Sequence, residues 1–110
     1  MDSRGEDPQS RQAILRLLGL ALRAGKLNLG SGPVLRALHQ GQGGVVFLSR
    51  DAGADLRAKI ERDLGSARLD AESFGGDELA AAFGRRLLSV VSVCEPAFVA
   101  GVMKYLGKLS

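Results

Sequence analysis

The sequence predicts an α/β protein, a three-layer α/β/α sandwich built on a small mixed central sheet of about four strands. Three observations predict it. Stretches with helical spacing alternate along the chain with short apolar runs. One of those runs, Val45-Val46-Phe47-Leu48, is apolar without alternation, as a strand covered on both faces must be. The chain has 110 residues, 45% hydrophobic and 25% charged, which is enough for one core and too little for two. The expected division is a disordered acidic tail over residues 1–9 and a single domain over residues 10–110.

Each element has its own signal. Residues 10–24 place Ile14, Leu18 and Ala21 on one stripe with Leu15 and Leu22 beside it, a first helix ending near Gly25. Residues 26–29 form a short strand. Gly30, Ser31 and Gly32 with Pro33 then read as a helix start, Pro33 taking the first helical position of a helix that runs to Gln40 and stops at Gly41. Val45 to Leu48 is the central strand. Leu56, Ile60 and Leu64 recur every four residues, with Asp55 and Lys59, Arg57 and Glu61, Lys59 and Asp63 paired along the outer surface of a third helix. Residues 68–72 are short and polar enough for an edge strand. A fourth helix over residues 77–83, a strongly apolar strand over 87–93 and a last helix over 96–106 complete the alternation, with Phe47 and Phe98 as the aromatic core residues.

Charge and cysteine content narrow the class. The formal net charge is +3, but the first nine residues carry Asp2, Glu6 and Asp7 against Arg4, so residues 10–110 hold 14 basic and 9 acidic side chains. A basic excess on a small body suits a polyanionic partner. Cys94 is the sole cysteine, which excludes an internal disulfide and multi-cysteine zinc sites and points to a reducing compartment. The acidic start lacks the order of a signal peptide, and the run from Ile14 to Leu22 is interrupted by Arg16 and too short to span a bilayer. A cytoplasmic, monomeric protein without a membrane partner is expected.

Reactive side chains are scarce. There is one histidine, one cysteine and one tyrosine, and no phosphate loop, nucleophile elbow or metalloprotease helix. His39 reads as a solvated residue and Cys94 as a small buried hydrophobe. No enzymatic activity, metal or cofactor is expected. The corner of Gly30, Ser31 and Gly32 is the better site, because glycine admits close backbone approach and a helix start offers free N–H groups and the positive end of a dipole. Arg23 and Lys26 precede it, Arg36 lies one turn into the following helix, Arg50 ends the central strand, and Arg85 and Arg86 precede the last strand. Loops at the carboxyl ends of strands gather at one sheet edge, so these residues are expected to converge there. With no tryptophan and few aromatics, the chain lacks platforms for a run of unpaired bases, which favours structured RNA read through its backbone.

Residues 17–93 resemble the ribosomal L-seven-Ae and L-thirty-e superfamily, especially its small bacterial YlxQ-like members. The resemblance is carried by Leu18-Gly19-Leu20-Ala21-Leu22-Arg23-Ala24-Gly25-Lys26, by Gly30 with Arg36-Ala37-Leu38, by Val45-Val46-Phe47-Leu48-Ser49-Arg50-Asp51-Ala52, and by the stretch from Leu79 to Gly84 before Leu88 to Val93. It implies a three-layer sandwich that binds kink-turn, ribosomal or related folded RNA in a ribonucleoprotein. Archaeal and eukaryotic relatives carry Gly-x-Asn-Glu-x-x-Lys at this turn, where Asn and Glu contact sheared base pairs. Here Gly30 and Arg36 match, while Gly32 and Pro33 take the Asn and Glu places. Arg50 stands where many relatives have Glu, and Arg85, Arg86 and Leu87 occupy the loop that in relatives packs on a flipped nucleotide. These departures favour phosphate contact over base readout. The rival readings are a protein-interaction module that kept the fold and lost the nucleic acid, and a small enzyme acting on a phosphorylated metabolite at the glycine turn.

Overall fold

The computed structural model describes residues 7–109. Of the expected acidic tail, residues 1–6 lie outside the described residues. The elements follow in the order α1 Pro8–Arg23, β1 Leu27–Leu29, α2 Ser31–His39, β2 Val45–Leu48, α3 Ala54–Asp63, β3 Arg68–Asp70, α4 Gly76–Ala82, β4 Val90–Val93 and α5 Pro96–Leu109. The four strands make one mixed sheet in the order β1-β4-β2-β3. β4 runs antiparallel to both β1 and β2, and β3 lies parallel to β2 at the edge. α1, α4 and α5, with Phe74 of the segment before α4, cover one face, through Ile14, Leu18, Leu79, Val102 and Leu106 on Phe47 and Val91. α2 and α3 cover the other, through Val34, Leu38 and Ile60 on Val46, Leu48 and Val90. This is the expected α/β/α sandwich. β2 and β4 are buried along their whole length because both faces and both neighbours are occupied.

Helix starts depart from expectation. α1 begins at Pro8 rather than Ser10 because Asp7 caps it: its Oδ1 accepts from the amides of Gln9 at 3.1 Å and Ser10 at 3.4 Å, and its Oδ2 accepts from the Ser10 hydroxyl at 2.8 Å. α2 begins at Ser31, so Pro33 is the third helical residue, a place where its missing N–H is still no loss to the helix ladder. β4 starts only at Val90, and Leu87, expected inside a strand, is 91% exposed in the loop before it. The expected pairs along α3 give way to Asp63 bonding His39 on α2 at 2.8 Å and Arg62 at 3.3 Å. Phe98 is only half-buried, and the core aromatics beside Phe47 are Phe74 and Phe83. Two close approaches hold the layers. Gly101 lets α5 settle on α1, where a Cβ would meet Leu17 at 3.1 Å, and Gly44, at φ +88°, brings the chain into β2 directly against the Val93 backbone.

Candidate functional site

Strand directions decide which loops meet. Leu29 is opposite Val91, Leu48 opposite Val90, and Phe47 beside Asp70. The ends of β1, β2 and β3 and the start of β4 therefore share one sheet edge, and the segments 30–31, 49–53, 71–75 and 84–89 cluster there. The Gly30 corner is fixed in place. Its backbone sits at φ +90° and ψ 169°, a region that only glycine enters readily. Its amide donates to the Val90 carbonyl at 2.9 Å and its carbonyl accepts from the Val34 amide at 3.1 Å, tying α2 to β4. A hollow of about 270 Å³ opens beside it, lined by Gly30, Ser31, Leu56, Leu87, Leu88, Ser89 and Val90.

Three helices point their N-termini at this edge, and their electrostatics differ. α3 carries Asp55 in its first turn, and α4 carries Asp77 and Glu78. The Asp51 carboxylate also accepts from the Gly76 amide at 2.9 Å, a bond that is the main cause of its lowered pKa. These carboxylates answer two of the dipoles. α2 has no acidic residue in its first turn and no side-chain cap, and its exposed Ser31 and Gly32 present backbone N–H groups outward. Arg36 reaches back along the same helix, as helical side chains do, until a Cβ on Gly32 would stand 4.0 Å from its guanidinium. It also borders a small polar hollow with Asn28, Gln40 and Gln42. An anion at the α2 start would meet two free amides, one guanidinium and no carboxylate on that helix.

The expected basic residues divide. Gly30, Ser31, Gly32 and Arg36 share the α2 start, and the exposed Arg85 and Arg86 belong to the 84–89 loop that brings Leu87 to the hollow. Arg50 reaches the same edge but is tethered, with its guanidinium on the Ser73 carbonyl at 3.3 Å and on Glu78 at 3.4 Å. Lys26 does not join. It precedes β1, whose first residue lies opposite Val93, so it sits at the other end of the strands and pairs with Glu95 at 3.9 Å. Arg23, on the last turn of α1, lines a groove with Arg16, Leu20, Ala82 and Phe83 instead. The expectation that Arg23 and Lys26, which precede the turn in sequence, join the cluster at Gly30 is corrected: the three-residue strand β1 lies between and carries the chain from their end of the sheet to the other.

Other members of the edge had weak signals in the sequence. Leu56 reads as a core position by its spacing, yet it also lines the hollow. Arg11 has no distinguishing neighbours in sequence. It bonds the Ser73 carbonyl, pairs with Glu78 and lies 4.8 Å above the Phe74 ring. Glu78 is thereby shared by two arginines. Desolvation pushes its pKa up, but the Gly75 amide, Arg11 and Arg50 together outweigh that and hold it below the ordinary value. Among the described residues no cluster of His, Cys, Asp or Glu side chains is arranged to hold a metal ion, and no helix is long and apolar enough to cross a membrane.

No family model and no curated protein matches the chain. Solved structures do. A protein of unknown function from Bacillus halodurans superposes with a TM-score of 0.67 at 28% identity, covering 86% of this chain and 96% of that one. A Giardia lamblia 15.5 kD RNA-binding protein superposes with a TM-score of 0.65 at 18% identity, covering 99% of this chain and 97% of that one. These likenesses show that the chain shares the α/β/α fold of both proteins, and they agree with the resemblance carried by the sequence.

Proposed function

We propose that the chain binds structured RNA without catalysis, through the sheet edge that joins the Gly30 corner, the α2 start, Arg36 and the Arg85-Arg86-Leu87 loop. The observation that carries this reading is the uncapped start of α2 beside Arg36, alone among three helix starts at that edge in having no carboxylate of its own. The Giardia lamblia protein of the same fold is an RNA-binding protein, which supports the same class of ligand. Gly32 and Pro33 offer no side-chain hydrogen bond to a base edge, so recognition rests on phosphates and on the shape of a kink-turn-like or ribosomal element. Arg50, held by Glu78, acts more as a brace for the loop than as a free phosphate ligand.

Titration of kink-turn, hairpin and duplex RNAs across salt tests this. Affinity falls with salt with a slope of about −0.9 per phosphate contacted on duplex. Arg36→Glu and Arg86→Glu each lower affinity about tenfold with the melting temperature unchanged, whereas Arg62→Glu on α3 leaves affinity within about twofold, the range of a screened remote charge. Absence of binding to all three RNAs at low salt contradicts the proposal.

A second reading is favoured by one observation. The hollow is walled by Leu56 and by Leu87, which is 91% exposed, an apolar surface that suits a protein partner as well as a base. Recovery of a defined protein after nuclease treatment, lost on Leu87→Ser, supports the interaction-module reading.

A further inference from the structure

The basic excess of the molecule lies on two helices, apart from the α2 start. α1 and α5 pack against each other and carry Arg11, Arg16, Arg23, Lys104 and Lys108 without one acidic residue. Residues 7–110 hold 14 basic and 10 acidic side chains, so these five cations, less the Asp7 that caps α1, equal the whole excess of four. The rest of the body is balanced. Arg16, Lys104 and Lys108 are exposed, and one carboxylate borders them, Asp7, which caps α1 and is held below its ordinary pKa by its bonds to Ser10 and, to a smaller extent, by Lys108.

This face also holds a ring. Tyr105 projects from α5 with Lys104 and Lys108 at 5.7 Å and 5.3 Å from its centroid, within cation–π reach. It borders a hollow of about 520 Å³ with Pro8, Gln9, Gln12, Ala13 and Arg16. Five cations alone would attract any polyanion. A half-buried ring rimmed by cations is more selective, because an unpaired nucleotide offers both a base face for the ring and a phosphate for the lysines, whereas the bases of a duplex are already stacked on each other.

We propose that the outer face of α1 and α5 is a second RNA contact, which takes unpaired nucleotides flanking the structured element, with a base on Tyr105 and adjacent phosphates on Lys104, Lys108 and Arg16. This rests on the RNA reading of the Gly30 edge and extends it to the sequence that leaves the folded element. The two contacts are separable in experiment. Tyr105 is the sole tyrosine and the chain has no tryptophan, so intrinsic fluorescence reports on this ring alone.

The test compares a blunt RNA hairpin with the same hairpin carrying a single-stranded tail of about six nucleotides, a length within the range that one ring and its neighbouring cations can engage. The tail raises the affinity of the wild-type chain about tenfold and quenches Tyr105 fluorescence, while the blunt hairpin does not quench it. Lys104→Glu with Lys108→Glu, and separately Tyr105→Leu, abolish the gain and keep blunt-hairpin affinity within about twofold. Tyr105→Phe keeps both the packing and the gain, so loss of fold and loss of stacking are told apart. A tail that adds neither affinity nor quenching overturns the proposal, as does binding to phosphatidylglycerol vesicles without any response to the tail. If the blunt hairpin fails to bind along with the kink-turn and duplex RNAs, the Gly30 reading fails on its own, and quenching by the tail as a free oligonucleotide still decides the Tyr105 face.

Discussion

A Cβ on Gly44 would stand 2.1 Å from the Val93 carbonyl oxygen, and the residue sits at φ +88°. Both steric space and backbone geometry therefore exclude alanine there. Gly44→Ala is expected to cost about 3 kcal/mol or to prevent folding. Gly43→Ala, one residue earlier at φ +67° and meeting only the Ser66 hydroxyl at 3.2 Å, is expected to cost about 1–2 kcal/mol. Urea unfolding of the two variants measures the difference. Gly44 was not distinguishable in the sequence, where the glycines at positions 41, 43 and 44 read only as a break before a strand; the demand comes from a strand 49 residues further on. Gly30 was distinguishable, because the requirement there is local, a turn followed at once by a helix. Leu87 marks the opposite limit. A leucine beside Leu88 and Val90 reads as part of a strand, and only the fold reveals that the ladder starts three residues later. Leu87→Ser is expected to leave the melting temperature within about 2 °C, since little apolar surface is lost from the core.

Helix starts carry the electrostatic logic of the edge. At α1, Asp7→Ala removes the cap and is expected to destabilise the domain by about 1 kcal/mol, as thermal unfolding would record. At α4, Glu78 is shared by Arg11 and Arg50, and its pKa is lowered in the folded state. A carboxylate with a depressed folded pKa stabilises the fold above its unfolded value of about 4.3, and that contribution is lost as pH falls through the folded value. Glu78→Gln is therefore less stable than wild type at pH 7 and approaches it as pH falls through the lowered folded-state value, a convergence that denaturant titrations at pH 7 and at successively lower pH would show. The helices and the two central strands were legible because each keeps one spacing over about two turns or more, or one apolar run over four residues, whereas β1 and β3 have three residues each and were legible only from the alternation around them. Their ends were less so. Asp7 belongs by composition to an acidic stretch and by geometry to the helix, and Pro33 is acceptable at any of the first helical positions, so neither residue fixes a start.

On the scale of the molecule, topology sorts the basic residues that sequence order left together. Arg23 and Lys26 are close to Gly30 along the chain, but β1 lies between them and carries the corner to the other end of the sheet. Arg85 and Arg86 are distant in sequence and arrive at the corner because β4 starts where β1 and β2 finish. Sequence reasoning could infer a shared edge from the alternation of elements. It could not assign Lys26 and Glu95 to the far edge without the antiparallel pairing of β1 and β4. The result is a molecule with one helix start, that of α2, free of carboxylates at this edge and a separate basic layer across α1 and α5.

Ser31→Asp separates stability from RNA binding, because its two effects have opposite signs. A carboxylate in the first turn of α2 complements the helix dipole and is expected to stabilise the domain by about 0.3–1 kcal/mol. The same charge occupies the place proposed for an RNA phosphate, so affinity for a structured RNA falls at least about tenfold, the scale of a lost charge-assisted contact with added repulsion. A melting temperature that holds or rises while RNA affinity collapses is the predicted outcome. Unchanged affinity in a folded Ser31→Asp protein would contradict the account.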